Sequence, residues 1–352
     1  MQKVKISYLP NIENLFHPGD RRRFVAYSKM KNLEFSLFDY KTSCDILVAS
    51  QQLDISQLNI IKKKCKVLIY DAVDSYHQDS SSLNARLRGL AKYISRQNRF
   101  LLLNYSVFLR ESFLPFVDII LCASKEQQQE LKKYNHNVFP IYDILEEQSI
   151  IKTDYEIKNK INLVWEGLGS NLFQLSILKV PLSNLAKKYN ITLNIVTDKK
   201  FKKYLNKFID VDSYSIVADF HNDIKIFPWT KENFIKSVIR SDIAIIPIDL
   251  KNNLASGKPE NKLIHLWKMG MPVLTSPSKS YSRVMDAADV DGLCETSIDW
   301  ERKIEALILS RDKRYLNAFN GRLYAENEYS REIFQSKWDK VLLKAETLLG
   351  NS

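Results

Sequence analysis

The sequence predicts an α/β protein built from two doubly wound units. Short apolar or β-branched runs alternate with helical segments along the 352 residues, a pattern typical of parallel sheets with helices on both faces. The polar segment 146–160 interrupts this alternation, which then restarts, and the chain is long enough for two domains of ordinary size. We therefore expect one domain over residues 1–150 and a second over 151–329, with residues 330–352 crossing back to the first.

The first half contains five apolar runs that are typical of buried strands. These runs lie at 4–9, 45–49, 66–70, 118–122 and 137–141. Between them, the sequence predicts helices at 22–31, 57–63, 83–110 and 125–133.

The second half repeats the same pattern. Strands are predicted at 161–166, 192–197, 213–217, 224–228, 242–247 and 271–275. Helices are predicted at 172–188, 199–208, 231–240 and 259–269, and a final helix at 332–349. Because ligands bind at the carboxyl ends of parallel strands, the loops that follow the strands are where functional residues are expected.

Composition and charge exclude several classes of protein. Hydrophobic residues make up 45% and charged residues 26%, as in a globular protein rather than a disordered one. No apolar run approaches the roughly 20 residues that span a bilayer, and the first residues lack a secretory signal, so we expect a cytoplasmic protein. The net charge of +11 suits a phosphate-bearing ligand or an anionic membrane surface. Because this charge is spread along the chain without interleaved aromatic residues, we expect no nucleic-acid partner.

The most informative segment runs from 241 to 276 and consists of a strand, a polar loop, a helix and a second strand. Pro259 suits the first helical position, and the free N–H groups of a first turn form an anion site. Lys258 and Lys262 flank this turn. A diphosphate could be held there without a metal ion, so we expect no metal and no cofactor besides a nucleotide co-substrate.

This segment resembles the donor site of GT-B glycosyltransferases. It is most similar to the donor sites of the family 4 enzymes. That family follows a strand ending in proline with a helix of the form K-L-x-E-x-x-x-x-G-x-P-V. The matching residues here are Lys262, Leu263, Gly270, Pro272 and Val273. The resemblance covers residues 160–345 and implies a GT-B architecture of two Rossmann-like domains facing a cleft. The donor-binding residues that it implies are Gly167, Gly169, Ser170, Trp229, Lys258, Asn261, Lys262 and His265.

One departure from the family concerns its pair of glutamates spaced by seven residues. Gly257 and His265 stand at those two places here, and Glu260 is the carboxylate nearest to them in the loop. We expect Glu260 to contact the donor sugar. The stereochemical outcome, retaining or inverting, stays open.

Candidate acceptor-side residues follow two strands of the first half. Asp71, Asp74 and His77 follow the run 66–70, and Asp20 lies beside Arg21, Arg22 and Arg23 after the first strand. If the reaction inverts, Asp20, Asp74 or His77 is a candidate base, while Asp71 and the arginines could hold the acceptor or a phosphate. The alternative is that Asp71 and Asp74 cap the following turn and that Arg21–Arg23 form a solvated basic face.

The resemblance implies transfer of a sugar from a nucleotide diphosphate sugar to a saccharide or lipid-linked acceptor. We expect a role in bacterial surface polysaccharide synthesis, such as lipopolysaccharide or capsule, with peripheral attachment to the inner face of the cytoplasmic membrane. Two alternatives stay open. One is a nucleotide-sugar 2-epimerase of the same fold, and the other is a catalytically inactive scaffold in a polysaccharide assembly complex.

Overall fold

The computed structural model describes residues 4–78, 83–144, 150–202, 209–251 and 256–350. The chain forms two compact units. The first comprises Met1–Glu146, Gly257–Pro259 and Tyr329–Ser352, and the second comprises Glu147–Ser256 and Glu260–Glu328.

A parallel sheet of order β2-β1-β3-β4-β5-β6 forms the centre of the first unit. The strands are β1 Ile6–Leu9, β2 Ser36–Leu37, β3 Cys44–Ser50, β4 Cys65–Ala72, β5 Ile119–Cys122 and β6 Val138–Pro140. Strand β5 is buried at every position, as expected of an inner strand covered on both faces.

Helices follow the strands of this unit. They are α1 Pro18–Arg21, α2 Phe24–Lys31, α3 Leu58–Lys62, α4 Leu83–Ile94, α5 Tyr105–Phe108 and α6 Lys125–Leu131. Short 3₁₀ turns cover Ile55–Gln57, Tyr76–Gln78 and Leu114–Phe116, and a π-helical turn covers Leu109–Phe113.

The second unit contains a parallel sheet of order β11-β8-β7-β12-β13 and a separate antiparallel pair, β9 and β10. The strands are β7 Ile161–Glu166, β8 Ile191–Thr197, β9 Lys200–Lys202, β10 Asp210–Asp212, β11 Ile224–Pro228, β12 Ile243–Ile246 and β13 Val273–Thr275. From β7 the chain builds outward through β8 to β11, then returns to place β12 on the other side of β7. The loops after β7 and β12 therefore lie at the topological switch point, where such sheets bind ligands.

The helices of the second unit bury three tryptophans, Trp165, Trp267 and Trp300, in its core. A 3₁₀ helix covers Gly169–Leu178. The α-helices are α7 Lys179–Leu185, α8 Ser213–Val217, α9 Lys231–Arg240, α10 Asn261–Lys268, α11 Lys279–Ala287, α12 Ser297–Leu309 and α13 Arg311–Glu328.

The last helix, α14 Arg331–Gly350, packs in the first unit. The Trp338 ring lies 5.6 Å from the Phe24 ring and 5.4 Å from the Tyr27 ring, measured between centroids. Asp339 accepts hydrogen bonds from the Tyr27 hydroxyl at 2.8 Å and from Lys31 Nζ at 3.0 Å. None of the helices in the described ranges is long and apolar enough to cross a bilayer.

The structure confirms the doubly wound α/β class and corrects four element predictions. Residues 83–110 are not one helix, because α4 ends at Ile94 and the Arg99 N–H bonds Asp54 Oδ2 at 2.8 Å instead of a helical carbonyl. The predicted strand 213–217 is the helix α8, which buries its two ends one turn apart. The predicted helix 199–208 is strand β9 at 200–202, and its part at 203–208 lies outside the described residues. Pro259 precedes the helix, which begins at Asn261 with Glu260 as its N-cap.

Candidate functional site

Glu166, the last residue of β7, is where three segments of the second unit meet. Lys262 Nζ, from the first turn of α10, donates to the Glu166 main-chain oxygen at 2.5 Å and lies 3.7 Å from Glu166 Oε1. Trp229 Nε1, from the loop after β11, donates to Glu166 Oε2 at 3.4 Å. Three segments that the sequence predicted separately therefore converge at the carboxyl edge of the second sheet.

The glycines after β7 have two different structural reasons. A Cβ on Gly167 would lie 2.8 Å from the Trp165 ring and 3.1 Å from Lys262 Nζ, so glycine leaves the space that the lysine occupies. A Cβ on Gly169 would lie 2.4 Å from Phe201 Cδ1, so glycine there permits close internal packing. Ser170 is exposed beside them.

An aromatic row extends from Trp229 into the unit. The Trp229 ring is 42% exposed and lies nearly parallel to the Phe234 ring, with centroids 6.5 Å apart. The Phe234 ring lies 4.9 Å from the His265 ring. His265 is thus in contact with a buried aromatic ring, whereas Trp229 offers an accessible ring face on which a planar base could stack.

The N-terminus of α10 contains a buried ion pair. Glu260 is 3% exposed, and its side chain does not cap the helix. Instead, Arg283 Nη2 of α11 donates to Glu260 Oε1 at 2.5 Å. Asn261 and Lys262 in the first turn are half-buried. The turn therefore combines a helix N-terminus with the Lys262 ammonium group, an arrangement that favours an anion.

Glu166 and Arg283 were not among the sequence-predicted site residues. Glu166 carried a usable signal, because it is a carboxylate that ends an apolar strand immediately before a glycine. Arg283 carried no comparable signal, since only the packing of α11 against the start of α10 brings it to Glu260.

Lys258 belongs to a different compact unit from Lys262. It is half-buried within Gly257–Pro259, a short segment that clusters with the first unit. Of the two lysines expected to flank a diphosphate, Lys262 alone belongs to the second unit.

In the first unit, Asp20 is buried and holds the loop after β1 in place. Its carboxylate accepts hydrogen bonds from the Tyr8 hydroxyl at 2.6 Å, from the N–H and side-chain amide of Asn11 at 2.8 and 2.9 Å, and from the Ile12 N–H at 3.2 Å. Burial, followed by the Asp20 charge, raises the pKa of Tyr8. These contacts favour a structural role for Asp20 over its predicted role as a base.

Arg23 and Asp71 form a buried bidentate pair. Arg23 Nε and Nη2 donate to the two Asp71 oxygens at 2.7 and 2.6 Å, and Nη1 donates to the Ile141 carbonyl and lies 3.4 Å from Asp143 Oδ1. Arg23 is fully buried, so its guanidinium group cannot meet an acceptor phosphate. Arg21 and Arg22, by contrast, are half-buried.

Asp74 is the predicted carboxylate that reaches solvent at the carboxyl edge of this sheet. Gln51, which follows β3, donates Nε2 to Asp74 Oδ2 at 2.7 Å and accepts from the Asp74 N–H at 3.0 Å. His77 is 4% exposed, and burial lowers its pKa to about 4. The geometry thus leaves Asp74 as an accessible carboxylate held by Gln51, with the buried His77 three residues away.

Within the described ranges, no group of three or more His, Cys, Asp or Glu residues is arranged to hold a metal ion. The four cysteines Cys44, Cys65, Cys122 and Cys294 are buried, and burial raises the pKa of each thiol.

No family model matches the chain, and no curated protein matches its sequence. Solved structures do match in fold. HepE from Anabaena, solved with UDP-glucose, is 13% identical over 96% of this chain and 99% of its own, with a TM-score of 0.61. WaaG, a glycosyltransferase involved in lipopolysaccharide biosynthesis, is 11% identical over 97% of this chain and 99% of its own, with a TM-score of 0.54.

A third similar structure is TarM, which is 10% identical over 85% of this chain with a TM-score of 0.59. The chain spans 54% of the length of TarM. A mutant of S. aureus TarM was solved with UDP, Fondaparinux and alpha-GlcNAc-glycerol. Together these similarities show that the protein has the GT-B fold.

Proposed function

We propose that the protein transfers a sugar from a nucleotide diphosphate sugar to a saccharide or lipid-linked acceptor. One observation carries the proposal. Lys262 and Trp229 both contact Glu166 at the switch point of the second sheet, so a cation, an exposed aromatic ring and a helix N-terminus lie together. A nucleotide diphosphate needs those three features, for its phosphates and for its base.

In this proposal, the leaving diphosphate binds at the first turn of α10. The N–H groups of the turn and Lys262 stabilise the negative charge that develops as the glycosidic bond to the diphosphate breaks. Trp229 stacks on the base, while Gly167 and Ser170 border the nucleotide. We place the Glu260–Arg283 pair beside the donor sugar, where Arg283 keeps a partly exposed side chain.

The acceptor side of the proposal rests on the first unit. If the reaction inverts, Asp74 removes the proton of the attacking hydroxyl, since its carboxylate is exposed and held by Gln51. If the reaction retains, no base is required. WaaG shares the fold and acts in lipopolysaccharide biosynthesis, which supports a role for this protein in lipopolysaccharide, capsule or another bacterial surface polysaccharide.

Calorimetric titration with a panel of nucleoside diphosphates, in EDTA and in magnesium, tests the donor site. We expect one diphosphate to bind equally well in both buffers and its monophosphate to bind more weakly. Lys262→Met should weaken binding by about 10- to 150-fold, as expected for a lost charge-assisted hydrogen bond. Lys236→Met, which removes an exposed lysine of α9, is the control. Binding that disappears on chelation, or that survives Lys262→Met, would contradict the proposed site.

Turnover separates glycosyl transfer from the two alternatives. A transferase consumes the sugar nucleotide faster when an acceptor is added. A 2-epimerase converts the free sugar nucleotide without any acceptor, which product chromatography would reveal. A scaffold binds the nucleotide and releases no product under either condition.

A further inference from the structure

The helix α4 presents its large apolar side chains to solvent. Leu87, Leu90 and Ile94 lie on one face and are 54%, 37% and 69% exposed, with Tyr93 beside them at 45%. The buried residues of this helix include the small residues Gly89 and Ala91 and also Lys92, whose ammonium group lies 3.8 Å from the centroid of the Tyr105 ring. A helix on a soluble surface usually has the reverse pattern, so this exposed face indicates an interaction surface.

The loop after α4 extends the same surface. Phe100, Leu101 and Leu103 are 53%, 45% and 50% exposed. The loop packs closely on the helix, because a Cβ on Gly89 would lie 2.0 Å from the Leu102 oxygen. Helix and loop therefore form one continuous surface, here called the apolar patch. Its members are Leu87, Leu90, Tyr93, Ile94, Phe100, Leu101 and Leu103.

Basic residues surround the apolar patch. Residues 80–110 contain six Lys or Arg residues and no Asp or Glu. The side chains of Arg86, Arg96 and Arg99 are exposed, and none of the three forms an ion pair with any residue that the structure describes. This surface is therefore complementary to a negatively charged partner.

A pocket of about 530 Å³ opens beside the patch, with Arg96, Asn98 and Arg99 among its lining residues. Asn98 is 2% exposed, and its side-chain nitrogen has no hydrogen-bond partner among the described residues. Asp54 also lines the pocket, but its two carboxylate oxygens already accept hydrogen bonds. The donors are the N–H and hydroxyl of Ser56, the side-chain amide of Gln57 and the main-chain N–H of Arg99. The pocket thus offers hydrogen-bond donors that suit a phosphate group.

We propose that the first unit docks on an anionic lipid bilayer through the apolar patch. The apolar side chains enter the boundary between headgroups and acyl chains, Arg86 contacts lipid phosphates, and the pocket with Arg96, Asn98 and Arg99 takes one headgroup phosphate. A bilayer suits the apolar patch better than a protein partner does. Phe100, Leu101 and Leu103 lie in an irregular loop and do not form the regular face that a protein partner would pack against. A hydrocarbon boundary needs no complementary shape. The proposal names the residues that would make the expected membrane contact. It does not depend on the donor site.

Vesicle co-sedimentation of the full chain tests this proposal with phosphatidylcholine alone and with added phosphatidylglycerol. Binding should require the anionic lipid. Arg96→Gln with Arg99→Gln should weaken it by about 30-fold, since each basic residue near an anionic surface contributes about fivefold. Arg302→Gln with Arg311→Gln, at exposed arginines of the second unit, is the matched control and should bind as wild type.

The apolar contribution has its own pair of variants. Ile94→Ser with Leu101→Ser should weaken vesicle binding by about tenfold or more. Ile298→Ser with Leu309→Ser, at more exposed apolar residues of the second unit, should have no effect. Melting temperature and nucleotide affinity should stay unchanged in all four variants, which separates this proposal from the donor site.

Four results would overturn the proposal. The first is equal binding to neutral and anionic vesicles, and the second is wild-type binding by both patch variants. The third is absent vesicle binding together with a dimer, seen by ultracentrifugation, that the patch variants dissociate, because the patch would then join two copies of the chain. Full competition by millimolar glycerol phosphate would likewise show binding to a free phosphate rather than to a bilayer.

Discussion

Arg283 Nη2 donates to Glu260 Oε1 across 2.5 Å and so joins the start of α10 to α11. The Glu260 side chain is 4% exposed and that of Arg283 is 24% exposed. Removing one partner of an ion pair that is this well buried on one side leaves the other charge uncompensated, and this pair lies at the helix start at which we place the diphosphate. It is therefore the contact whose removal is expected to change both folding and donor binding.

We expect Glu260→Gln to lower the free energy of unfolding by about 1–3 kcal/mol, because it replaces a charge-assisted hydrogen bond from Arg283 with a weaker one to a neutral amide. The double variant with Arg283→Gln should recover part of this loss, which gives a coupling energy of about 1 kcal/mol or more. Urea unfolding of wild type, the two single variants and the double variant measures this coupling energy. The exposed pair Glu232–Lys236, also 2.5 Å apart, is the matched control and should couple by no more than about 0.5 kcal/mol. Equal coupling in the two pairs would contradict the assignment.

Asp74→Asn tests the proposed base. In an inverting enzyme, this change should lower turnover by about 10²–10⁴-fold and leave nucleotide affinity unchanged. The melting temperature should also hold, because an asparagine side chain can keep a hydrogen bond to Gln51. Asp312→Asn, at an exposed aspartate of α13, is the control. Unchanged turnover would remove Asp74 as a base and favour a retaining reaction.

His77 should make folding stability depend on pH. Its pKa in the folded protein is about 4 because of burial, whereas an unfolded histidine has a pKa near 6.5. The unfolded chain therefore binds the proton first, so the contribution is complete above pH 6.5 and is lost as the pH falls toward 4. At most about 3 kcal/mol is involved. Urea unfolding of wild type and His77→Gln from pH 7.5 to 4.5 should show a steeper decline in wild type, and parallel curves would refute the buried neutral state.

Gly321→Ala should destabilise the second unit although alanine is the better helix former. A Cβ at this position would lie 2.4 Å from the Trp267 ring, where α13 packs on α10. We expect a loss of about 1–3 kcal/mol, larger than the gain in helix propensity of about 1 kcal/mol. Gly350→Ala near the end of α14, with nothing within 4 Å, should be neutral or stabilising. Thermal melts of the two variants test this packing. A higher melting temperature for Gly321→Ala than for wild type would contradict it.

The amino-acid sequence alone was sufficient for the fold class and for most elements. Ile161–Glu166, Ile224–Pro228 and Lys231–Arg240 have the bounds that the apolar pattern predicts. The pattern was reliable there because the inner strand Ile161–Glu166 is mostly apolar, the edge strand Ile224–Pro228 begins with alternating apolar and polar residues, and an amphipathic helix repeats every 3.6 residues. It was wrong at 213–217 and 83–110. At 213–217, a short apolar run suits a helix and a strand equally. Within 83–110, the helix ends at Ile94 and the Arg99 N–H bonds Asp54, 45 residues away along the chain.

The sequence by itself also located the loops of the candidate site, since polar residues, glycines and lysines follow apolar strands. It did not distinguish among Asp20, Asp71 and Asp74, which look alike as aspartates after strands. The tertiary structure separates them by their partners: Asp20 holds the loop after β1, Asp71 pairs with Arg23 48 residues away, and Asp74 stays exposed on Gln51. Burial and charge pairing are set by residues far apart along the chain, so only the folded arrangement decides which carboxylate is free to react.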